Sequence, residues 1–360
     1  MGREPGPLRI GAPPRAWPAA KKRDGRQRME QDKKIYVAGH RGLAGSAIRR
    51  CLEKQGYRNL VVKTREELDL TRQAAVEAFF EEERPRFVFL AAAKVGGILA
   101  NSTRPAEFIY ENLAIETNVI RSAWETGVER LLFLGSSCIY PRSAPQPLRE
   151  EDLLTGELER TNEPYAVAKI AGMKMCESFS RQHGARFFSV MPTNLYGPND
   201  NFDRESAHVL PALIRRFQEA KEAGADSVTV WGTGTPRREF LHSDDMARAC
   251  CFLMNLPDPV LDGEFFRYPR PPFVNIGTGS DISIGDLAGL IRDVTGFGGQ
   301  IRFDPTKPDG TPRKLLDVFR MKRLGWAAEI GLREGIESTC RWFRENRDQG
   351  KKVTEKESVP

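Results

Sequence analysis

Between Lys34 and Pro192 short apolar runs recur at intervals, separated by longer stretches with apolar residues at helical spacing. KIYVAG, NLVVKT, FVFLAAA, RLLFLGS and RFFSVMP read as strands. AGSAIRRCLEKQG, RQAAVEAFFEEE, PAEFIYENLAIETNVIRSAWETG and PYAVAKIAGMKMCESFSRQHG read as helices. Strand and helix in this alternation predict an α/β fold whose parallel sheet is covered on both faces. Beyond about residue 195 the regularity weakens. NLYGPNDNFDRESAH and RYPRPP read as loops, HVLPALIRRFQEAKEAG and IGDLAGLIRDVTG as helices, SVTVWG and FVNIG as short strands. This predicts a smaller lobe assembled on the carboxyl edge of the sheet.

The net charge of +6 arises in the first 34 residues, which hold ten Lys or Arg against four Asp or Glu; the other 326 carry 45 of each sign. A basic face for nucleic acid is therefore not expected on the folded body. The leader also has five prolines before residue 19 and no periodicity, the composition of a disordered segment. Its arginine content fits a transit peptide, its prolines and lack of amphipathic pattern do not, and Met29 offers an alternative start. No apolar run approaches the roughly 20 residues of a membrane span. Six cysteines without CxxC or metal-ligand spacing suggest reduced thiols in a cytoplasmic protein and no metal site.

The first strand runs into AGHRGLAGSAIRR, with Gly39, Gly42 and Gly45 three residues apart. Glycines there let the backbone turn sharply and approach a pyrophosphate, whose charge then sits on a helix N-terminus. The second strand ends in KTREELDL. Arg65 at its tip would pair with a ribose 2′-phosphate, and Arg41 in the glycine turn is a second guanidinium in reach, so the pattern favours NADPH over NADH. Glu66 and Glu67 follow, and either placed at the ribose would reverse that preference.

PYAVAKIAG sets Tyr165 and Lys169 one helical turn apart, with Pro164 in the first turn and Thr161 or Asn162 as a cap. A lysine ammonium beside a phenol would lower its pKa by favouring the phenolate. The phenol can then exchange a proton with a carbonyl oxygen that Ser136, from GSSCIYP at the end of the fourth strand, would also hold. Tyr165, Lys169 and Ser136 together suit ketone reduction. Cys138 follows two residues after Ser136, either a buried thiol or a reagent beside the substrate.

These segments, with LAAAKVGGI, MPTNLYGPNDNF, HVLPALIRRF, WGTGTPRREFLH, VNIGTG and KPDGTPRKLLDV, resemble the extended short-chain dehydrogenase/reductase family over about residues 33 to 346. The resemblance narrows to the members that epimerise and reduce GDP-linked 4-keto-6-deoxy sugars. It implies a Rossmann-type doubly wound parallel sheet with a smaller C-terminal substrate-binding lobe. The implied boundaries are a leader at 1–32, an NADP-binding domain at 33–195, a lobe at 196–346 with segments returning to the first domain, and a loose tail at 347–360.

The same resemblance makes Cys138 a base for epimerisation, a role a thiol of reference pKa about 8.5 can fill, and His208 the acid that reprotonates. Around NADP(H) it places His40, Leu43, Ala44, Leu134, Gly135, Ser137, Pro192, Thr193, Asn194, Leu195 and His208, besides the glycines, Arg41, Arg65, Ser136 and Lys169. For a GDP-sugar it offers Arg216, Trp231, Arg238, Asp309 and Lys314, although a Trp closing an apolar strand is as often core. It also implies a homodimer through the two long helices Pro105 onward and Pro164 onward. Two rivals share the fold: an NAD-dependent sugar-nucleotide 4-epimerase, and a non-catalytic dinucleotide sensor that would not need Ser136, Tyr165 and Lys169 together.

Overall fold

Every residue of Ile35–Ala38, Phe87–Leu90 and Arg130–Leu134 is buried, which is why these runs are apolar without alternation. The computed structural model describes residues 29–354 apart from 205 and 308. β1 (Ile35–Ala38) leads into α1 (Leu43–Lys54), followed by β2 (Leu60–Val61), α2 (Gln73–Glu83), β3 (Phe87–Leu90), α3 (Ile98–Thr103), α4 (Pro105–Glu125), β4 (Arg130–Leu134), α5 (Glu163–His183) and β5 (Arg186–Pro192). Among the described residues the parallel order is β2-β1-β3-β4-β5, with a sixth strand, Phe273–Ile276, beyond β5.

Successive residues face opposite ways. Ile35 and Val37 join one core with Ile48 and Leu52 of α1, whereas Tyr36 and Ala38 join the other with Phe80, Ile120 and Met173. The chain leaves β1 one way to reach β2 and the other way to reach β3. The carboxyl ends of β1 and β3 therefore open a crevice at the point where the winding reverses.

The glycine turn lies at that crevice. Gly39 has φ +81, and a Cβ there would stand 2.8 Å from the Ala92 backbone; a Cβ at Gly45 would overlap the Gly39 carbonyl. Gly45→Ala is expected to destabilise the free protein by about 1–3 kcal/mol, an overpacking cost that the backbone on the other side of the contact prevents from relaxing. Urea titration would check it.

The second half contains β6 (Asn194–Tyr196), α6 (Val209–Glu222), β7 (Ser227–Trp231), β8 (Arg237–His242), α7 (Ser243–Met254), α8 (Asp258–Phe265), β9 (Phe273–Ile276, the sixth strand above), β10 (Asp281–Ser283), α9 (Ile284–Thr295), β11 (Gln300–Asp304), β12 (Arg313–Lys314), α10 (Phe319–Arg323) and α11 (Leu332–Thr354). β8 pairs in parallel with β6 and β12 and antiparallel with β10, while β7 pairs with β11. Asn194–Tyr196 was expected to begin a loop; it is a strand because β8, over forty residues away, lies alongside it. Helix α7 packs on α1, where Arg50 meets Asp244 at 2.6 Å, so this segment and β9 return to the large sheet.

Glu239 of β8, fully buried, binds three segments together. One carboxylate oxygen accepts from the N–H groups of Thr278 and Gly279 at 2.7 Å each, and the other from Leu316 N at 2.9 Å. Its carbonyl accepts from the Asn194 side chain at 2.7 Å.

The expectations for residues 1–28 lie outside the described residues. Met29 is buried, its N–H donating to Asn255 at 3.0 Å, and α11 runs to Thr354, across the stretch from 347 read as a tail. All six cysteines are free and buried. Among the described residues no helix is long and apolar enough to cross a membrane.

Candidate active site

Asn162 occupies the N-cap of α5 without a side-chain capping bond, and its Oδ1 is buried with no hydrogen-bond partner among the described residues. One turn apart on α5, Tyr165 and Lys169 face the end of β4. The Lys169 ammonium stands 4.6 Å from the Phe133 ring centre and 5.8 Å from that of Tyr165, whose ring packs edge-on against Phe108 at 6.3 Å. Ser136 caps the short turn Ser137–Ile139, accepting from Cys138 N at 3.4 Å. The hydroxyl lies near enough to the Cys138 thiol and the Tyr165 phenol to pull both downward. Ser136, Cys138, Tyr165 and Lys169 thus converge at the carboxyl end of β4.

The electrostatics correct one expectation. Lys169 does not lower the phenol; Tyr165 is held well above the ordinary value, by burial first and then by the Cys138 and Glu116 charges, against a smaller pull from Ser136. Glu116 of α4 adds to the effect of burial: its carboxylate lies 3.1 Å from the Lys169 ammonium and offsets that charge. Tyr165 is therefore a protonated donor, not a phenolate. Burial likewise pushes the Cys138 thiol up, against the opposing pulls of Lys314, Ser136 and Lys169. The free protein thus holds a protonated thiol where a base near neutral pH was expected.

His208 takes the N-cap position of α6 and makes no side-chain capping bond. Burial lowers its imidazole, and Lys314 lowers it further. Lys314 is itself lowered by burial and raised by Cys138, so its ammonium is felt by both the thiol and the imidazole. Tyr165, His208 and Lys314 all keep solvent-accessible surface although protein atoms crowd them. Such a combination describes the walls of a deep cleft.

At the glycine turn α1 begins at Gly42 with no side-chain cap, and Gly42 carries no Cβ to fill the space outside it. His40 Nδ1 is buried without a hydrogen-bond partner among the described residues. These open donors fit an anionic dinucleotide. Arg41 and Arg65 flank the turn in exposed pairs, Arg41 to Glu66 at 3.9 Å and Arg65 to Glu111 at 3.3 Å. Leu134, Gly135 and Ser137 end β4 beside Pro192, Thr193, Asn194 and Leu195 at the end of β5, with Gly135 N bonded to Val190 O at 2.9 Å. Leu43 and Ala44 form the first turn of α1.

Across the cleft Trp231 is 58% exposed, not core, with the Arg216 guanidinium 5.1 Å and the Lys307 ammonium 5.7 Å from its ring. Arg238 is half-buried and lowered by that burial, opposed by Asp309. Both Asp309 oxygens already accept from Thr233, at 2.9 Å from its N–H and 2.7 Å from its hydroxyl, which fixes the carboxylate and occupies part of its hydrogen-bonding capacity. An open depression between α6 and the 296–299 turn, lined by Lys221 and Arg302 among others, contains none of these groups.

Sequence reasoning passed over Glu116 and Lys307. The signal for Glu116 was present: in ENLAIETNVI an acid sits among Ile115, Val119 and Ile120 on a helix whose other half is polar. Lys307 lies in an irregular loop and had no such mark.

The sequence profile of the NAD dependent epimerase/dehydratase family matches residues 35–269. GDP-L-fucose synthase 1 of Arabidopsis thaliana is 58% identical over 317 residues, 88% of this chain and 95% of that protein. A GDP-6-OMe-4-keto-L-xylo-heptose reductase from C. jejuni superposes with a TM-score of 0.84 at 40% identity, covering 89% of this chain and all of that one. A GDP-L-fucose synthetase from Naegleria fowleri bound to NADP gives 0.79 at 28% identity, over 91% of this chain and 98% of that one. At such identity and coverage the chain belongs to the NAD dependent epimerase/dehydratase family, among the GDP-L-fucose synthases.

Proposed function

We propose that the protein converts GDP-4-keto-6-deoxy-D-mannose to GDP-L-fucose with NADPH, inverting C3 and C5 and then reducing the C4 ketone. The observation that carries this reading is the placement of Cys138 beside the Ser136, Tyr165 and Lys169 group, with Lys314 near both Cys138 and His208. A reductase alone has no use for a thiol there.

The glycine turn would hold the pyrophosphate, Arg41 and Arg65 the 2′-phosphate, and the strand ends at 134–137 and 192–195 the nicotinamide. When bound, NADPH supplies hydride for C4. The chain's own groups do the rest. A C4 ketone acidifies the hydrogens on C3 and C5. In the free protein Cys138 is a thiol and His208 a neutral imidazole with one ring nitrogen unprotonated; moving the thiol proton to that nitrogen creates a thiolate base and an imidazolium acid together, with Lys314 near both. The thiolate takes the proton from carbon and the imidazolium returns one on the opposite face. Ser136 and Tyr165 donate to O4, where negative charge develops in the enolate. In the reduction Tyr165 gives its proton to O4. Arg216, Arg238 and Trp231 would carry the GDP, through charge and an exposed aromatic face.

The test is stoichiometry. One NADPH should disappear per GDP-L-fucose formed, and the product made in heavy water should carry deuterium at C3 and C5. Exchange of C4 epimers without net NADPH oxidation would instead establish the 4-epimerase. Arg65→Ala is expected to weaken NADPH binding about 10- to 100-fold, the worth of one or two charge-assisted hydrogen bonds, and to leave NADH binding nearly unchanged. Calorimetric titration of both nucleotides would check it.

A homodimer through the outer faces of α4 and α5 fits the exposure of Tyr110 and Val167, and sedimentation at twice the 40.5 kDa chain mass would support it. The free thiols agree with a cytoplasmic location.

A further inference from the structure

Glu116 lies midway along α4, on the side packed against α5, and is 1% exposed. Its Oε1 is 3.1 Å from the Lys169 ammonium, itself 2% exposed, an ion pair without hydrogen-bond geometry, and neither oxygen has a hydrogen-bond partner among the described residues. The groups around it are Lys169, Tyr165 and Cys176 from α5, with Ser189 of β5 near Cys176 and the Phe133 ring of β4 under Lys169. Directly against the carboxylate is Gly172, inside α5. A Cβ there would stand 2.6 Å from Glu116 Oε2 and 2.7 Å from the Phe133 ring. A glycine inside a helix costs about 1 kcal/mol relative to alanine, and a buried carboxylate costs several more unless it is well paired. The fold bears both to keep this acid beside this lysine. As an adhesive between α4 and α5 the pair is a poor choice, since apolar residues of the same volume would hold them as well or better.

We infer that Glu116 is a positioning residue of the reduction: as the buried counter-ion of Lys169 it cancels the ammonium's effect on Tyr165 and so keeps the phenol a proton donor. The inference rests on the proposed role of Tyr165. With Glu116 ionised, the phenol faces a neutral pair and holds its proton. With Glu116 neutral, the uncompensated ammonium favours the phenolate, and the donor is lost at lower pH. Burial pushes the Glu116 carboxyl up to about 7, against the pull of Lys169.

The test compares wild type, Glu116→Gln and Glu116→Asp in two ways. The first is kcat for ketone reduction against pH. In Glu116→Gln the alkaline limb should move down by about 1 pH unit or more, the scale of losing one neighbouring charge, with KM for both ligands unchanged. In Glu116→Asp, whose shorter carboxylate reaches the ammonium less closely, the limb should move the same way by less. The second is phenolate absorbance of the substrate-free protein, taken as the difference between each variant and the same variant carrying Tyr165→Phe, which isolates one of seven tyrosines. Glu116→Gln should ionise at lower pH than wild type. This readout needs no substrate, so it tests the inference even if the proposed reaction fails. Superimposable titrations, with only a uniform fall in kcat or melting temperature, would overturn it. Should Glu116→Gln not fold, an unmoved limb and titration in Glu116→Asp would do the same.

Discussion

Tyr165→Phe is expected to lower kcat for net reduction by about 10²- to 10⁴-fold, the usual weight of a positioned proton donor, while leaving KM for the GDP-sugar within a few-fold. The substitution removes one hydroxyl and little else. The ring keeps its edge contact with Phe108, and Lys169 keeps its pair with Glu116, so the melting temperature should barely move. Deuterium exchange into C3 and C5 should persist, because Cys138 and His208 remain and Ser136 still holds O4. Single-turnover NADPH oxidation, followed beside magnetic-resonance detection of exchange, separates the two steps. Wild-type reduction by the variant would place the donor elsewhere.

The converse pattern is expected of Cys138→Ser. A serine hydroxyl fills nearly the same volume in a site that is 9% exposed, so stability should change little. Its pKa lies far above that of a thiol, and neither Lys314 nor His208 can bring it into the working range. Exchange at carbon and formation of GDP-L-fucose should fall by about 10²- to 10⁴-fold, the contribution of a general base. Any NADPH still consumed would then reduce sugar that has not been fully epimerised. Exchange at the wild-type rate would return Cys138 to packing and assign the base to another group.

The large sheet was legible because its strands are buried on both faces, and continuous apolar runs such as FVFL and the LLFL of β4 leave little room for another reading. β6 was not, since Asn194–Tyr196 is a strand only by virtue of β8. The convergence at the end of β4 could be argued from the order of Ser136, Cys138 and Tyr165 along an α/β chain. The state of the phenol could not. It depends on Glu116, nearly fifty residues before Tyr165, and a rule that pairs a tyrosine with the lysine one turn on has no place for a third charge from another helix. Trp231 illustrates the same limit: core and exposed plate have one sequence signature, and only packing against Arg216 and Lys307 distinguishes them.

Glu239 has a consequence for how the molecule can open. Its carboxylate fastens the loop that leaves β9, at the edge of the large sheet, to the segment that follows β12, and its own strand is zipped to β6, the direct continuation of β5. Swinging the small lobe away from the large sheet as a rigid jaw would tear buried backbone hydrogen bonds from a charge with nowhere else to go. The cleft therefore has no hinge at its base. On the proposed function, a nucleotide sugar would enter and leave at the rim, without separating the two halves of the molecule.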